Sequence, residues 1–293
     1  MLYSPINYQG NKSRIVDKVL NFLPNKCDCI HEIFSGSAIV SLSSKSSKIF
    51  LNDLNHYILD LIKYFKDNEP HEIIKNTDNI ITQYQLTNTF YEGKERYKEI
   101  KHEGLSRYNK NAFNKLKSDY NQDKDIKKLF VLIIYGFNHY LRFNRNDEFN
   151  VPVGKIDFVK TLRDKTFAYC NAIKAKTTIN FTNLDFRDKE LYLKEYLNDV
   201  FYFDPPYLIT QTTYNTFWSI KDEIELLELL DHLNNLGFKF MLSNVIESNG
   251  KENSYLKEWM KKYNIHYINR QYLNSSYQKK NITKAIEVLI TNY

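Results

Sequence analysis

Asp204-Pro205-Pro206-Tyr207 follows the apolar run Val200-Phe201-Tyr202-Phe203, so an acid, two prolines and an aromatic ring stand where a buried strand should end. Proline has no N–H and a fixed φ, which suits a segment that presents carbonyls outward instead of continuing a sheet ladder. The Asp204 carboxylate and the Pro205 carbonyl could each accept one N–H of an aromatic amine. That would draw the nitrogen lone pair out of ring conjugation and aim it at an incoming methyl group. Tyr207 would stack on the ring, a contact worth about 1–3 kcal/mol for a nucleobase. Inside a duplex these groups reach an exocyclic amine only after the nucleotide has been flipped out. A plain Pro-Pro turn after a strand is the other reading of the four residues.

The elements around this segment alternate between strand and helix. Asn11 to Leu23 carries Ile15, Val16, Val19, Leu20 and Leu23 at helical spacing before Pro24. Cys29 to Phe34 reads as a strand, followed by the small-residue turn Ser35-Gly36-Ser37-Ala38 and a helix-like stretch. Lys48 to Asp53 is a second strand and Asn55 to Lys66 a second helix. The rhythm returns with strands at Thr177–Phe181, Val200–Phe203 and Phe238–Leu242. Between them Ser219 and Asp222 make a capping box for a helix that closes at Gly237. Ser254 to Tyr263 is a short helix, and Ile265–Tyr272 with Ala285–Thr291 form a terminal hairpin around a basic loop. The pattern predicts an α/β fold, a parallel sheet covered by helices. Residues 67–176 break it. They are polar, basic and helix-compatible, with Leu129 to Tyr135 as an apolar anchor, and read as an inserted, mainly helical domain between 1–66 and 177–293.

Charge marks the same insertion. Between Lys94 and Arg145 there are 13 Lys/Arg against 6 Asp/Glu, whereas the net charge of the whole chain is +6. A phosphate-contacting module in an otherwise neutral protein has this distribution, and so does a solvated lysine-rich face. No apolar run approaches the ~18 residues of a membrane span, and the N-terminus lacks a signal-peptide pattern. Cys27, Cys29 and Cys170 are too few and too unpaired for a disulfide framework or a structural zinc site, so reduced thiols, no metal and a cytoplasmic location are expected. Gly10-Asn11-Lys12-Ser13 has the tail of a P-loop without its earlier glycines or upstream strand, which argues against triphosphate hydrolysis.

The Gly36 turn, Asp53, Asp185, Asp204 and Ser243-Asn244 each fall at the end of a predicted strand, the edge at which open α/β sheets bind ligands. Phe34-Ser35-Gly36-Ser37-Ala38 resembles an F-x-G-x-G cofactor loop with alanine in place of the last glycine. Asp53, 17 residues after Gly36, stands near the interval of a ribose-binding acid, though it could instead cap the following helix.

Tyr8-Gln9-Gly10-Asn11-Lys12, the Phe34 loop, Asn52-Asp53, a long insertion and then Asp204-Pro205-Pro206-Tyr207 together resemble the alpha group of DNA adenine N6 methyltransferases, the Dam type. Leu208-Ile209-Thr210, Phe217-Trp218-Ser219, Leu242-Ser243-Asn244-Val245 and Gly250-Lys251-Glu252-Asn253 are similar to bacteriophage Dam enzymes in particular. The resemblance implies a Rossmann-like methyltransferase sheet with helices on both faces, S-adenosylmethionine as cofactor and double-stranded DNA as partner. It implies that Tyr8, Lys12, Phe34, Ser35, Gly36, Ser37, Asp53, Asp185, Phe186 and Asp204 line the cofactor pocket, and that Asp204, Pro205, Pro206 and Tyr207 carry catalysis. The insertion would then recognise the target, with Asn138, Arg142, Asn144, Arg145, Pro152 and Lys155 in a DNA-reading hairpin. Arg142 is the expected base reader, because arginine grips guanine bidentately; phosphate clamping is the alternative for it and for Arg145. GATC is the expected target, a cognate restriction nuclease is compatible with the family, and a monomer or weak dimer is expected. Cytosine N4, RNA or protein-glutamine methylation, and a catalytically inactive DNA-binding relative, remain as rivals.

Overall fold

The structure is a computed structural model that describes every residue except 9, 98–102, 194, 195, 197, 211–217 and 269–284. Gln9 and Phe217 of the motifs above, the end of the strand expected to reach Tyr272, and the basic loop after it lie outside the described residues. The chain divides into a sheet unit, residues 14–54 and 176–293, and a helical unit, residues 1–13 and 55–175.

In the sheet unit, β1 (Cys29–Glu32), β2 (Lys48–Asn52), β3 (Thr178–Thr182), β4 (Val200–Phe203), β5 (Lys239–Ser248), β6 (Lys251–Glu252), β7 (Asn264–Ile268) and β8 (Ala285–Thr291) form one sheet of order β3-β2-β1-β4-β5-β8-β7, with β6 paired to β5. The first five of that order are parallel, and β8 is antiparallel to both neighbours. Val200, Phe201, Tyr202 and Phe203 are buried throughout, as a central strand covered on both faces must be. One face sets Phe201, Phe203, Phe240, Leu242, Val288 and Ile290 in a core with Leu226, Leu230, Leu256 and Trp259 from the helices at Ile220–Asn235 and Ser254–Trp259. The other face carries Glu32, which accepts a hydrogen bond from Ser41 N at 3.0 Å in the short helix Ile39–Ser43. The expected α/β sheet with helices on both faces is therefore present.

Two boundaries differ from the sequence expectation. The helix expected over 11–23 is helical only from Val16 to Leu20, because the Asn11 side chain accepts from Ser13 N (2.7 Å) and Oγ (2.6 Å) and closes a local turn instead. The strand expected to stop at Leu242 continues to Ser248, so Ser243 and Asn244 lie inside β5 and not at its end. Antiparallel pairing with β8 sustains it beyond the last pair with β4, Phe203↔Leu242.

In the helical unit, the stretch Leu129–Tyr135 is wholly buried within the helix Ile126–Tyr135. The helices His56–Asp67, Pro70–Tyr84, Ser106–Asp123 and Lys160–Lys174 surround it. Phe65 stands edge-on to Phe130 and Tyr169, at 5.0 and 5.8 Å between ring centres. That packing places the helix His56–Asp67 in this unit, together with residues 1–13, and not before an insertion that starts at 67. Segments 135–144 and 148–154 run antiparallel through Gly154 N to Tyr135 O (2.6 Å), Phe137 N to Pro152 O (2.8 Å) and Asn144 N to Glu148 O (2.9 Å). At Gly154 a Cβ would come within 2.7 Å of Gly136 O. Gly154→Ala should therefore force the two segments apart and cost about 1–3 kcal/mol, read as a lowered urea midpoint with an unchanged slope.

Candidate functional site

Strand order reverses between β1 and β4, since the chain leaves β1 toward β2 and β3 and returns to β4 on the other side. Such a reversal opens a crevice beyond the strand ends. Ile33 N donates to Tyr202 O at 3.0 Å, so the Phe34–Ala38 loop and the Asp204–Tyr207 segment leave neighbouring strands side by side.

The loop is tied down from β2. Asp53 Oδ2 accepts from Gly36 N at 2.7 Å, and Asn55, not Asp53, caps the following helix by accepting from Tyr57 N at 3.2 Å. Buried Asn52 donates to Ile33 O (2.9 Å) and Leu184 O (3.0 Å) and accepts from Leu184 N (3.0 Å), locking the ends of β1, β2 and β3 together. Ser35 Oγ is buried with no hydrogen-bond partner among the described residues. A polar ligand lying along the loop would satisfy it, as a cofactor's polar groups require. Ala38 holds φ +53°, a left-handed conformation that glycine adopts without strain.

Phe34, Phe186 and Trp218 form an aromatic group with ring centres 5.5–5.7 Å apart. Phe186 is buried in it, while the Asp185 carboxylate faces outward onto Arg187 at 3.0 Å. Trp218, part of the segment Phe217-Trp218-Ser219 that carries the family resemblance, was not among the expected site residues. Its Nε1 donates at 2.7 Å to buried Glu223, which also accepts from Asn244 (3.1 Å) and Asn253 (2.7 Å). Asn244 thus points into this support on the helix-covered face.

At the tetrapeptide, Tyr207 Oη donates to Asp204 Oδ1 at 2.7 Å and lies 3.4 Å from Glu287 Oε1 of β8. Tyr202 Oη meets Ser243 Oγ at 2.8 Å. Burial, then the nearby carboxylates, raise the ionisation of both phenols well above the ordinary tyrosine value, so both keep their protons. Glu32, wholly buried, is pushed up to about 8, chiefly by desolvation; Ser41 opposes the rise, and the charges of Asp204 and Asp53 add to it. Glu32 and Glu287 escaped the sequence reading. The signal available was an acid inside an otherwise apolar strand, Cys29-Ile30-His31-Glu32 and Ala285-Ile286-Glu287-Val288-Leu289.

Among the described residues, Cys29, His31 and Asp199 have donor atoms within 4.8 Å of one another, a spacing that could hold a metal ion. They stand where β1 and β4 begin, at the far end from the loops. His31 Nε2 lies 2.8 Å from Asp199 Oδ2, the ring stacks on Phe50 and Phe201, and Nδ1 is buried with no partner among the described residues. Burial, then the Asp199 charge, holds the Cys29 thiol up at about 12.

Tyr8 and Lys12 belong to the helical unit, where Lys12 Nζ donates to Gly10 O at 3.1 Å. In the hairpin of that unit, exposed Arg142 donates from Nε to Asn150 Oδ1 (2.8 Å) and from Nη2 to Asn150 O (3.0 Å). Asn144 closes the turn, its Oδ1 accepting from Asn146 N (2.9 Å) and Glu148 N (3.0 Å). Asn138, Arg145, Pro152 and Lys155 are exposed, and the Pro152 carbonyl is bonded to Phe137 N.

Residues 8–274 match the family described as D12 class N6 adenine-specific DNA methyltransferase. The chain belongs to that family. It is 35% identical over 309 residues to the Type II methyltransferase M.FokI of Planomicrobium okeanokoites and 32% identical over 304 residues to the modification methylase StsI of Streptococcus sanguinis. Each alignment covers 99% of this chain but 43% of the relative, so the chain spans less than half the length of both. It is 27% identical over 212 residues to the DNA adenine methylase of Haemophilus influenzae, covering 72% of this chain and 65% of that one. Among the described residues no helix is long and apolar enough to cross a membrane.

Two outcomes are expected. Ala38→Gly should raise stability by about 0.5–1 kcal/mol, the left-handed strain released less the added chain entropy, read by thermal melting. The raised Glu32 ionisation means that the folded chain holds a proton the unfolded chain gives up. Its contribution is complete below the ordinary carboxyl range and fades as pH rises through about 8. Stability of the wild type should therefore fall between about pH 5 and 8 relative to Glu32→Gln, which removes the titration; parallel denaturation curves across that range would refute it.

Proposed function

We propose that this chain transfers a methyl group from S-adenosylmethionine to N6 of an adenine flipped out of double-stranded DNA. The observation that supports the reading is the pairing of β1 with β4, from which the Asp204 segment and the loop with the acid-held Gly36 leave neighbouring strands, the Ser35 hydroxyl of that loop having no partner among the described residues. The cofactor, when bound, supplies an electrophilic sulfonium methyl. Phe34, Ser35, Gly36, Ser37 and Asp53 would hold it, with Asp185 and Phe186 toward its adenine. Asp204 and the Pro205 carbonyl would accept the two N6 hydrogens, Pro206 would stiffen the segment, and the Tyr207 ring would stack on the target base. Positioning and charge suffice for such a reaction, so no metal and no covalent intermediate with the protein are invoked.

The helical unit would read the DNA. Its segment from Lys94 to Arg145 carries the local charge excess, and the Arg142 guanidinium is aligned by Asn150 in an exposed hairpin. Arg145 and Lys155 would contact phosphates, with Asn138, Asn144 and Pro152 shaping the hairpin. The Dam likeness favours GATC as the target. The higher identity to M.FokI and StsI favours a role in modification beside a restriction nuclease, with a target of its own. A cytoplasmic location fits either role.

Expression in a methylase-free host followed by methylation-sensitive sequencing should reveal N6-methyladenine within one sequence context. Asp204→Ala should remove it, with activity reduced by at least a thousandfold. Unmethylated adenine in the wild-type sample, or full activity in Asp204→Ala, would refute the proposal. Arg142→Ala should cost about 1–3 kcal/mol of discrimination at one base position, measured as relaxed specificity in the same sequencing.

A further inference from the structure

Glu287 is 1% exposed on β8, next in sequence to Val288 of the hydrophobic core but on the opposite face of the sheet. Pairing with Val245 sets it on the face that also carries Tyr202, Ser243 and Glu32. The ladder between β5 and β8 is interrupted beside it: Val245 pairs with Glu287 and Glu247 with Ile286, leaving Ile246 as an extra residue. Bulges of this kind re-aim side chains beside functional sites.

The Tyr207 hydroxyl lies between two carboxylates, 2.7 Å from Asp204 Oδ1 and 3.4 Å from Glu287 Oε1. A phenol has one proton to donate. In the geometry seen here Asp204 has it, and that bond occupies an oxygen which, on the reading above, the target amine needs. A movement of the ring tip by about 0.5 Å would bring the hydroxyl within ordinary hydrogen-bond distance of Glu287. We propose that Glu287 is a positioning residue of the methyl-transfer site: it is the second acceptor for the Tyr207 hydroxyl, and by taking that hydrogen bond it releases Asp204 Oδ1 to the incoming amine. Without Glu287 the amine would have to displace a buried hydroxyl that has lost its second carboxylate acceptor, which is costly in an apolar surrounding. In this role Glu287 acts through Tyr207. The inference rests on Asp204 gripping the amine, as proposed above.

The test is a set of single-turnover methyl-transfer measurements. The purified chain is mixed with labelled S-adenosylmethionine and unmethylated DNA from a methylase-free host, with cofactor affinity measured alongside. Glu287→Met should lower the transfer rate constant at least fivefold while the cofactor Kd stays within twofold. In the Tyr207→Phe background, where no hydroxyl competes for Asp204, the same substitution should change the rate by less than twofold. Glu287→Gln, which keeps an oxygen acceptor and serves if the methionine variant does not fold, should lose two- to threefold in the wild-type background and nothing in Tyr207→Phe. Equal losses in both backgrounds, or no loss in the wild-type background, overturn the role of Glu287. Asp204→Ala separates the two levels: if it remains active the reading of the site falls, and if it is inactive while Glu287→Met is indifferent, only this inference falls.

Discussion

The parallel pairing of β1 with β4 is the constraint on which the sheet unit's chemistry depends. Glu32 pairs with Tyr202, and Ile33 N closes the last bond onto Tyr202 O, so two segments that are 170 residues apart in the chain leave the sheet within one strand spacing. Neighbouring strands lie about 4.8 Å apart, a separation at which a ligand resting on one loop is within reach of groups on the next. A one-residue slip of either strand in this register would turn its polar side chain, Glu32 or Tyr202, to the face of Phe201 and Phe203. The slip is opposed because Ile33, or Phe201 and Phe203, would leave the apolar core in exchange.

The same register concentrates acids. Glu32, Asp53, Asp204 and Glu287 come from four different strands or strand ends. Desolvated carboxylates near one another cannot all ionise cheaply. The chain divides the load: Glu32 keeps its proton over most of the neutral range, Asp53 is bonded to a backbone N–H, and Asp204 is bonded to a phenol.

Much of this was legible in the residues. The strand Val200–Phe203, the turn at Gly36 and the capping box at Ser219 are local patterns, and the structure has each of them. Strand ends were harder to place, because β5 is prolonged by pairing such as Ser243 with Leu289, far along the chain, an influence absent from the local stretch Phe238–Leu242. The N-terminal helix was over-read for the opposite reason: periodicity continued to Leu23, but the Asn11 side chain offered the backbone a competing turn. Glu32 and Glu287 were passed over because an acid in an apolar run has no meaning until the sheet places its neighbours. Their significance is tertiary.

The hairpin of the helical unit extends this argument from acids to the arginine. Arg142 is exposed, yet its guanidinium is oriented by both the side chain and the carbonyl of Asn150, while Asn144 closes the turn between them. The turn is rooted where Gly154 approaches Gly136, and Phe143 stacks on Tyr57 at 3.6 Å with the rings nearly parallel. A long, flexible side chain loses much conformational freedom when it is used for recognition. Here part of that freedom is already spent by contacts within the hairpin, so the guanidinium is held in one orientation at a lower entropic cost.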